Sequence, residues 1–196
     1  MRVGLGSGTT AQFFILALAA RGLEVTCVAT SDASTALARE HGLTVVPLGR
    51  EGVHLAADGA DAVDHDLRLI KGAGGAHVRE KIVAAAAQRF VVIVDDTKLL
   101  DPLPGRVPVE LLEFGAERTL SLLEATGGRY VLREQRSDSG NLLADGHYES
   151  MADPEGLAAR LDAIPGVVGH GLFLGMADLL IVGRNDGSVE ERRPSR

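Results

Sequence analysis

The chain has 196 residues, 45% hydrophobic and 24% charged, with a formal net charge of −7 at pH 7. That length and apolar content suffice for one domain or two small ones with a buried core, which excludes a largely disordered chain. An acidic chain with no Trp and only 4% aromatics lacks the basic surface and stacking platforms of a general nucleic-acid binder. No apolar run approaches the ~20 residues that span a bilayer. The single cysteine, Cys27, has no partner for an internal disulfide, and no long apolar leader follows Met1. The expectation is a soluble cytoplasmic protein with no nucleic-acid or membrane partner.

In chain order, strands are predicted over 2–5, 24–29, 43–48, 53–57 and 90–95, with helices over 9–21, 33–41 and 76–88. Strands alternating with helices predict βαβ units around a parallel sheet. Val91-Val92-Ile93-Val94 is apolar on consecutive positions, as a strand buried on both faces requires. Asp101-Pro102-Leu103-Pro104-Gly105 marks a boundary. Beyond it the pattern predicts strand 107–111, helix 115–125, strands 130–134 and 141–144, helix 154–163 and a strand near 171–174. Paired strands with two helices predict a small α+β lobe with an antiparallel sheet. The apolar run 179–182 is placed back in the first sheet, and the charged tail from Asn185 is expected to fray.

Chemistry-bearing residues gather where predicted strands end. Gly4-Leu5-Gly6-Ser7-Gly8-Thr9-Thr10 links a strand to a helix, and exposed N–H groups at a helix start favour an anion. Thr9 stands where a dinucleotide fingerprint needs Gly, and no Lys-Ser/Thr closes a Walker loop. The segment reads as a small phosphate cradle or as a plain turn. Thr30-Ser31-Asp32-Ala33-Ser34-Thr35 reads first as a helix N-cap. Asp58-Gly59-Ala60-Asp61 puts two carboxylates in one turn, where like charges push one pKa up and prepare a general acid. Asp64-His65-Asp66 reads as a solvated turn rather than a metal site.

Lys71-Gly72-Ala73-Gly74-Gly75-Ala76 sets backbone donors beside a lysine, a candidate oxyanion site. Glu80 falls in the first turn of the next helix, as a dipole partner or as a base on a rigid element. His77, on the same helix, is expected at the surface or partly buried. Lys98 follows the fifth strand, where it can hold a phosphate or hydroxyl. One rim carrying Ser/Thr, Asp, Lys and Glu indicates a small anionic ligand and acid/base chemistry.

At these residues the chain resembles the ribose-5-phosphate isomerase type A family. The matching stretches are 4–10, 31–35, 58–61, 69–76, 79–83 and 96–99, followed by Pro-Val-Glu-Leu at 108–111, Asp-Ser-Gly-Asn at 138–141 and much of 164–173. The resemblance implies a Rossmann-like, mainly parallel α/β domain (1–103 with 176–196) carrying an inserted ferredoxin-like α+β lobe (104–175). It implies interconversion of ribose 5-phosphate and ribulose 5-phosphate through an enediolate, in the non-oxidative pentose phosphate pathway, without cofactor or metal. Glu80 matches the base, and Asp58, Asp61 and Lys71 match the other catalytic positions. The division of roles between the two aspartates is left open. Ser7, Gly8, Thr9, Thr10, Gly59, Ala60, Gly72, Ala73, Gly74 and Lys98 match substrate-binding positions. The expected partner is a pentose 5-phosphate, and the expected assembly is a homodimer or homotetramer.

Two departures stand out. The family has a helix and a fuller first strand before the glycine loop, so exposed apolar surface is expected here. Ala73 stands where the family pattern has glycine, which is harmless if φ there is negative. A non-enzymatic sugar-phosphate sensor is disfavoured by the joint presence of Asp58, Asp61, Lys71 and Glu80. An amino-sugar-phosphate deaminase needs a ring-opening His, and an acyl-CoA transferase needs a Glu nucleophile on a different type of segment.

Overall fold

The structure, a computed structural model, describes residues 1–194. The first half of the chain forms β1 (Arg2–Leu5), α1 (Gly8–Ala20), β2 (Thr26–Ala29), α2 (Asp32–Glu40), β3 (Thr44–Val45) and β4 (Leu55–Asp58). It continues through β5 (Ala62–Val63), β6 (Leu69–Ile70), α3 (His77–Ala85), β7 (Phe90–Asp95) and a 3-10 turn at Asp96–Lys98. Then come β8 (Arg106–Leu111), α4 (Ala116–Glu124), β9 (Arg129–Arg136), β10 (Leu142–His147) and α5 (Pro154–Asp162). The chain closes through β11 (Val167–His170), β12 (Leu172–Phe173), β13 (Leu179–Gly183) and β14 (Val189–Arg192).

Contacts divide the chain into two compact units. The first comprises Met1–Ala60, Arg79–Lys98 and the stretch from Gly175 onward. Its seven-stranded sheet has the order β14-β13-β7-β4-β1-β2-β3. Every pairing is parallel except β13 with β14. Successive strands run outward from β1 through β2 to β3, then reverse and run outward from β4 through β7 to β13. The order therefore switches between β1 and β4, and open α/β sheets bind ligands beyond the carboxyl ends of such a pair. Val3, Leu5, Ile15, Cys27, Ala38 and Leu43 form the core beneath α1 and α2. Burial pushes the Cys27 thiol up, so little thiolate forms at neutral pH. Phe13, Leu23 and Ile82 are exposed.

The tail differs from its reading. Val189–Arg192 is not frayed but forms β14, antiparallel to β13. Glu190 accepts from Arg184 and Arg192, and these charges line an edge strand, which discourages pairing with another chain.

The second unit comprises Asp61–Val78 and Leu99–Leu174. Its larger part runs β8-α4-β9-β10-α5-β11, with sheet order β11-β8-β10-β9 and all neighbours antiparallel. That is the ferredoxin-like β-α-β-β-α-β arrangement. Its core gathers Val107, Val109, Leu111, Leu123, Ala144, Leu157 and Leu161. A division at residue 104 puts 61–78 in the first domain. In the structure that segment supplies the β5–β6 hairpin, and β6 pairs with β12 of the second unit. Asp64 closes the hairpin turn, accepting from the Asp66 and Arg68 backbone N–H groups and from Arg68 Nε at 2.6 Å. It is buried rather than solvated. Among the described residues no cluster of three or more His, Cys, Asp or Glu is placed to hold a metal ion.

On the sheet of this unit, Asp145 receives Arg133 Nη2 at 2.6 Å, Arg133 Nε at 2.9 Å and Arg106 Nη2 at 2.9 Å. Burial alone would raise its carboxyl; the two guanidinium groups outweigh that and hold it at about 2. A carboxyl depressed in the folded state stabilises above its unfolded value and loses that contribution as pH falls through the folded one. The folded and unfolded values define the window: full contribution above about pH 5, lost progressively as pH falls through about 2, and worth about 2 kcal/mol. Urea unfolding of wild type and Asp145→Asn is expected to differ by at least that much at pH 6 and by only a small part of it at pH 2. A constant difference across that range would show that Asp145 acts through packing instead.

Candidate active site

In the first unit, predicted residues gather at the switch between β1 and β4. Ser7 is the N-cap of α1 in an extended conformation, φ −121° and ψ 164°, and no side chain caps the helix. The N–H groups of Gly8, Thr9 and Thr10 therefore begin α1 without intrahelical acceptors. Asp58 ends β4, is 4% exposed, and accepts from Ser7 N–H at 3.0 Å and Gly59 N–H at 2.8 Å. One carboxylate thus ties the glycine loop to the end of β4.

The loop is also held from β2. Ser34 Oγ donates to Gly6 carbonyl at 2.6 Å, and Ser7 Oγ lies 2.7 Å from Thr30 Oγ1. Ser31 caps α2 by accepting Ser34 N–H at 3.1 Å, as read from sequence. The capping segment has a second task that sequence reasoning missed, since Thr30 and Ser34 anchor the glycine loop. A serine three residues after an N-cap serine gives no hint of an acceptor 28 residues earlier.

Glu80 sits in the first turn of α3 and is 6% exposed. A carboxylate there is stabilised by the helix dipole. Val83, further along α3, packs against β1 at Gly4, where an added Cβ would lie 2.6 Å from Val83 Cγ1. That close approach seats the helix carrying Glu80 on the sheet. Arg79 donates to Asp32 at 2.9 Å. Lys98 ends the 3-10 turn after β7 and is half-buried.

The second unit holds the remaining predicted residues. Asp61 Oδ2 accepts from Ala73 N–H at 2.8 Å. Lys71 follows β6 and is 3% exposed. Its backbone N–H donates to Gly171 carbonyl at 2.9 Å, and its Nζ lies 5.6 Å from the Phe173 ring centroid. Gly72 adopts φ +115°, and an added Cβ would lie 2.8 Å from His77 Nδ1. His77 is therefore not a surface residue: it is fully buried at 0% exposure, packed under the glycine turn. Leu67 is the one non-glycine residue with positive φ among the described residues, so Ala73 is unstrained. The motifs at 108–111 and 138–141 meet at Glu110 and Asn141. Buried Glu110 accepts from Ser137 Oγ at 2.9 Å and Asn141 Nδ2 at 2.7 Å, fixing the β9–β10 turn.

Residues 26–187 match the family described as ribose 5-phosphate isomerase A (phosphoriboisomerase A). A ribose-5-phosphate isomerase A of Roseiflexus sp. (strain RS-1) is 49% identical over 209 residues, covering 100% of this chain and 90% of its own. The crystal structure of ribose 5-phosphate isomerase A from Neisseria gonorrhoeae superposes with a TM-score of 0.94 at 36% identity, covering 100% of this chain and 89% of its own. A D-ribose-5-phosphate isomerase in complex with phospho-erythronic acid superposes with a TM-score of 0.90 at 33% identity, covering 98% of this chain and 90% of its own. With its family model matched over 26–187 and a relative 49% identical over its whole length, this chain belongs to the ribose 5-phosphate isomerase A family.

Proposed function

We propose that Glu80 is the base with which this chain interconverts ribose 5-phosphate and ribulose 5-phosphate. Aldose–ketose isomerisation moves one proton between C2 and C1 through an enediolate. A single carboxylate removes it from one carbon and returns it to the other. Glu80 is mostly buried on a rigid helix, which limits competition from water. As the proton leaves, negative charge grows on the carbonyl oxygen. Lys71 and the N–H groups after it are the donors for that charge, each worth about 3 kcal/mol where such donors have been removed. Asp58 and Asp61 handle the hydroxyl protons and ring opening. Ser7, Gly8, Thr9, Thr10 and Lys98 take the phosphate, with Gly59, Ala60, Gly72, Ala73 and Gly74 lining the substrate.

The observation that carries this reading is Asp58, held by Ser7 N–H and Gly59 N–H at the sheet's switch point. It joins an anion-seeking helix start to an acid/base carboxylate. Family resemblance supports a cytoplasmic homodimer or homotetramer. The test is conversion of ribose 5-phosphate by the purified chain with EDTA present, with phospho-erythronate as a competitor. Sustained turnover that phospho-erythronate inhibits competitively supports the reading. A folded chain without turnover removes it.

A further inference from the structure

Arg133 lies on β9 in the second unit, outside every motif that the sequence singles out. Its side chain is 12% exposed, and all three of its nitrogens are used. Nε and Nη2 grip Asp145 at 2.9 and 2.6 Å. Nη1 donates to the carbonyls of Gly72 at 2.9 Å and Ala73 at 3.0 Å. Arg106 Nη2 fixes the Asp145 carboxylate from a second side, donating at 2.9 Å to the same Oδ2 that Arg133 Nε holds. Gln135, two residues along the same strand face, adds a longer bond to Gly74 carbonyl at 3.4 Å.

These contacts have a directional consequence. In a trans peptide the N–H points opposite to the carbonyl before it. Pulling the Gly72 and Ala73 carbonyls toward one guanidinium therefore turns the Ala73 and Gly74 N–H groups the other way. Ala73 N–H donates to Asp61 Oδ2 at 2.8 Å. Among the described residues no group accepts Gly74 N–H, and Gly74 is exposed. The turn itself is glycine-made, with φ +115° at Gly72 and +81° at Gly75. Glycine flanks permit other peptide orientations, so the loop's own backbone does not select this one.

We propose that Arg133, braced by Asp145, is the positioning residue of the catalytic glycine loop. It orients two peptide planes so that one N–H holds Asp61 and the next is presented to the oxyanion of the reacting sugar. The proposal rests on the isomerase reading for the identity of that oxyanion; the clamp itself is a property of the loop.

Lysine is the sharp substitution, because it keeps the charge but cannot span Asp145 and two carbonyls at once. Arg133→Lys is expected to lower kcat by about 10–100-fold with KM changed less than about threefold, the pattern of a group acting in the transition state. Ala73 amide exchange, followed by NMR, is expected to speed up by about tenfold or more as its bond to Asp61 loosens. Asp145→Asn keeps the arginine but weakens its brace, and is expected to shift both readouts in the same direction by less. A merely structural arginine would lower the melting temperature and leave kcat per folded enzyme and the Ala73 amide unchanged, which would overturn the proposal. So would a fall in kcat with an unaltered Ala73 amide. If the wild type does not isomerise while the amide still responds to Arg133→Lys, the clamp stands and the isomerase reading falls.

Discussion

Glu80→Gln is expected to lower kcat by about 10³-fold while KM changes little, the middle of the range for loss of a positioned general base. The amide has the volume and reach of the carboxylate but no basicity at neutral pH. Folding is expected to survive, since α3 keeps its seat on the sheet through Val83 and Gly4. The lost interaction of Glu80 with the helix dipole costs only about 0.3–1 kcal/mol. The measurement is steady-state turnover of ribose 5-phosphate, paired with exchange of the transferred hydrogen into deuterated water. Loss of both turnover and exchange identifies the base. A variant retaining a tenth or more of wild-type turnover would move the proton transfer to one of the aspartates.

The fold was legible in proportion to element length. The six-residue β7 and the long helices were plain because a buried run or a 3.6-residue period needs several residues to show. The β5–β6 hairpin was not. Ala62–Val63 and Leu69–Ile70 are two residues each, too short for any period. What makes them a sheet is pairing of Ile70 with Leu172, about a hundred positions away in the chain. The tail failed for another reason. Val189-Glu190-Glu191-Arg192 looks like solvated chain because an edge strand is built to look so. Asp64 and His77 were misjudged alike: polar residues default to the surface, and both are buried by a turn whose closure the linear pattern does not contain.

The candidate site was legible as an inventory rather than a geometry. Glycines, hydroxyls and carboxylates at successive strand ends are the residue types that the chemistry of an anion site calls for. Which groups hold which was hidden. Asp58 accepting from Ser7 joins positions 51 residues apart, and Arg133 reaching Gly72 joins positions 61 apart. Arg133 carries no local signal at all; an arginine on a strand face is ordinarily a solvated charge. Only the alternation that puts residues 133 and 135 on one face of β9 points, in retrospect, to a shared target.

Gly6→Ala is expected to abolish turnover, by about 10³-fold or more, through a single methyl group. Gly6 follows β1, donates its N–H to Ala57 carbonyl at 2.9 Å and accepts from Ser34 Oγ at 2.6 Å. Its φ is not positive, so conformational freedom is not what the position requires. Space is. A Cβ would lie 2.0 Å from Asp58 Oδ1 and 2.1 Å from its Cγ. Asp58 is short, buried and tied to two N–H groups, so it cannot swing aside as a long side chain would. Either Asp58 leaves the switch point or β1 separates from β4, and both remove the carboxylate from the glycine loop. Overpacking of this kind costs about 1–3 kcal/mol or more in stability, read as a lower urea midpoint. Gly8 supplies the comparison for stability. It has φ +82° with nothing within 4 Å of an added Cβ, so Gly8→Ala carries only left-handed strain of about 1–2 kcal/mol. The structure therefore ranks Gly6→Ala as the more damaging for folding even though Gly8 has the more unusual backbone. Wild-type kcat/KM in Gly6→Ala would mean that Asp58 has room to move, and that its place at the switch point is not what the reaction needs.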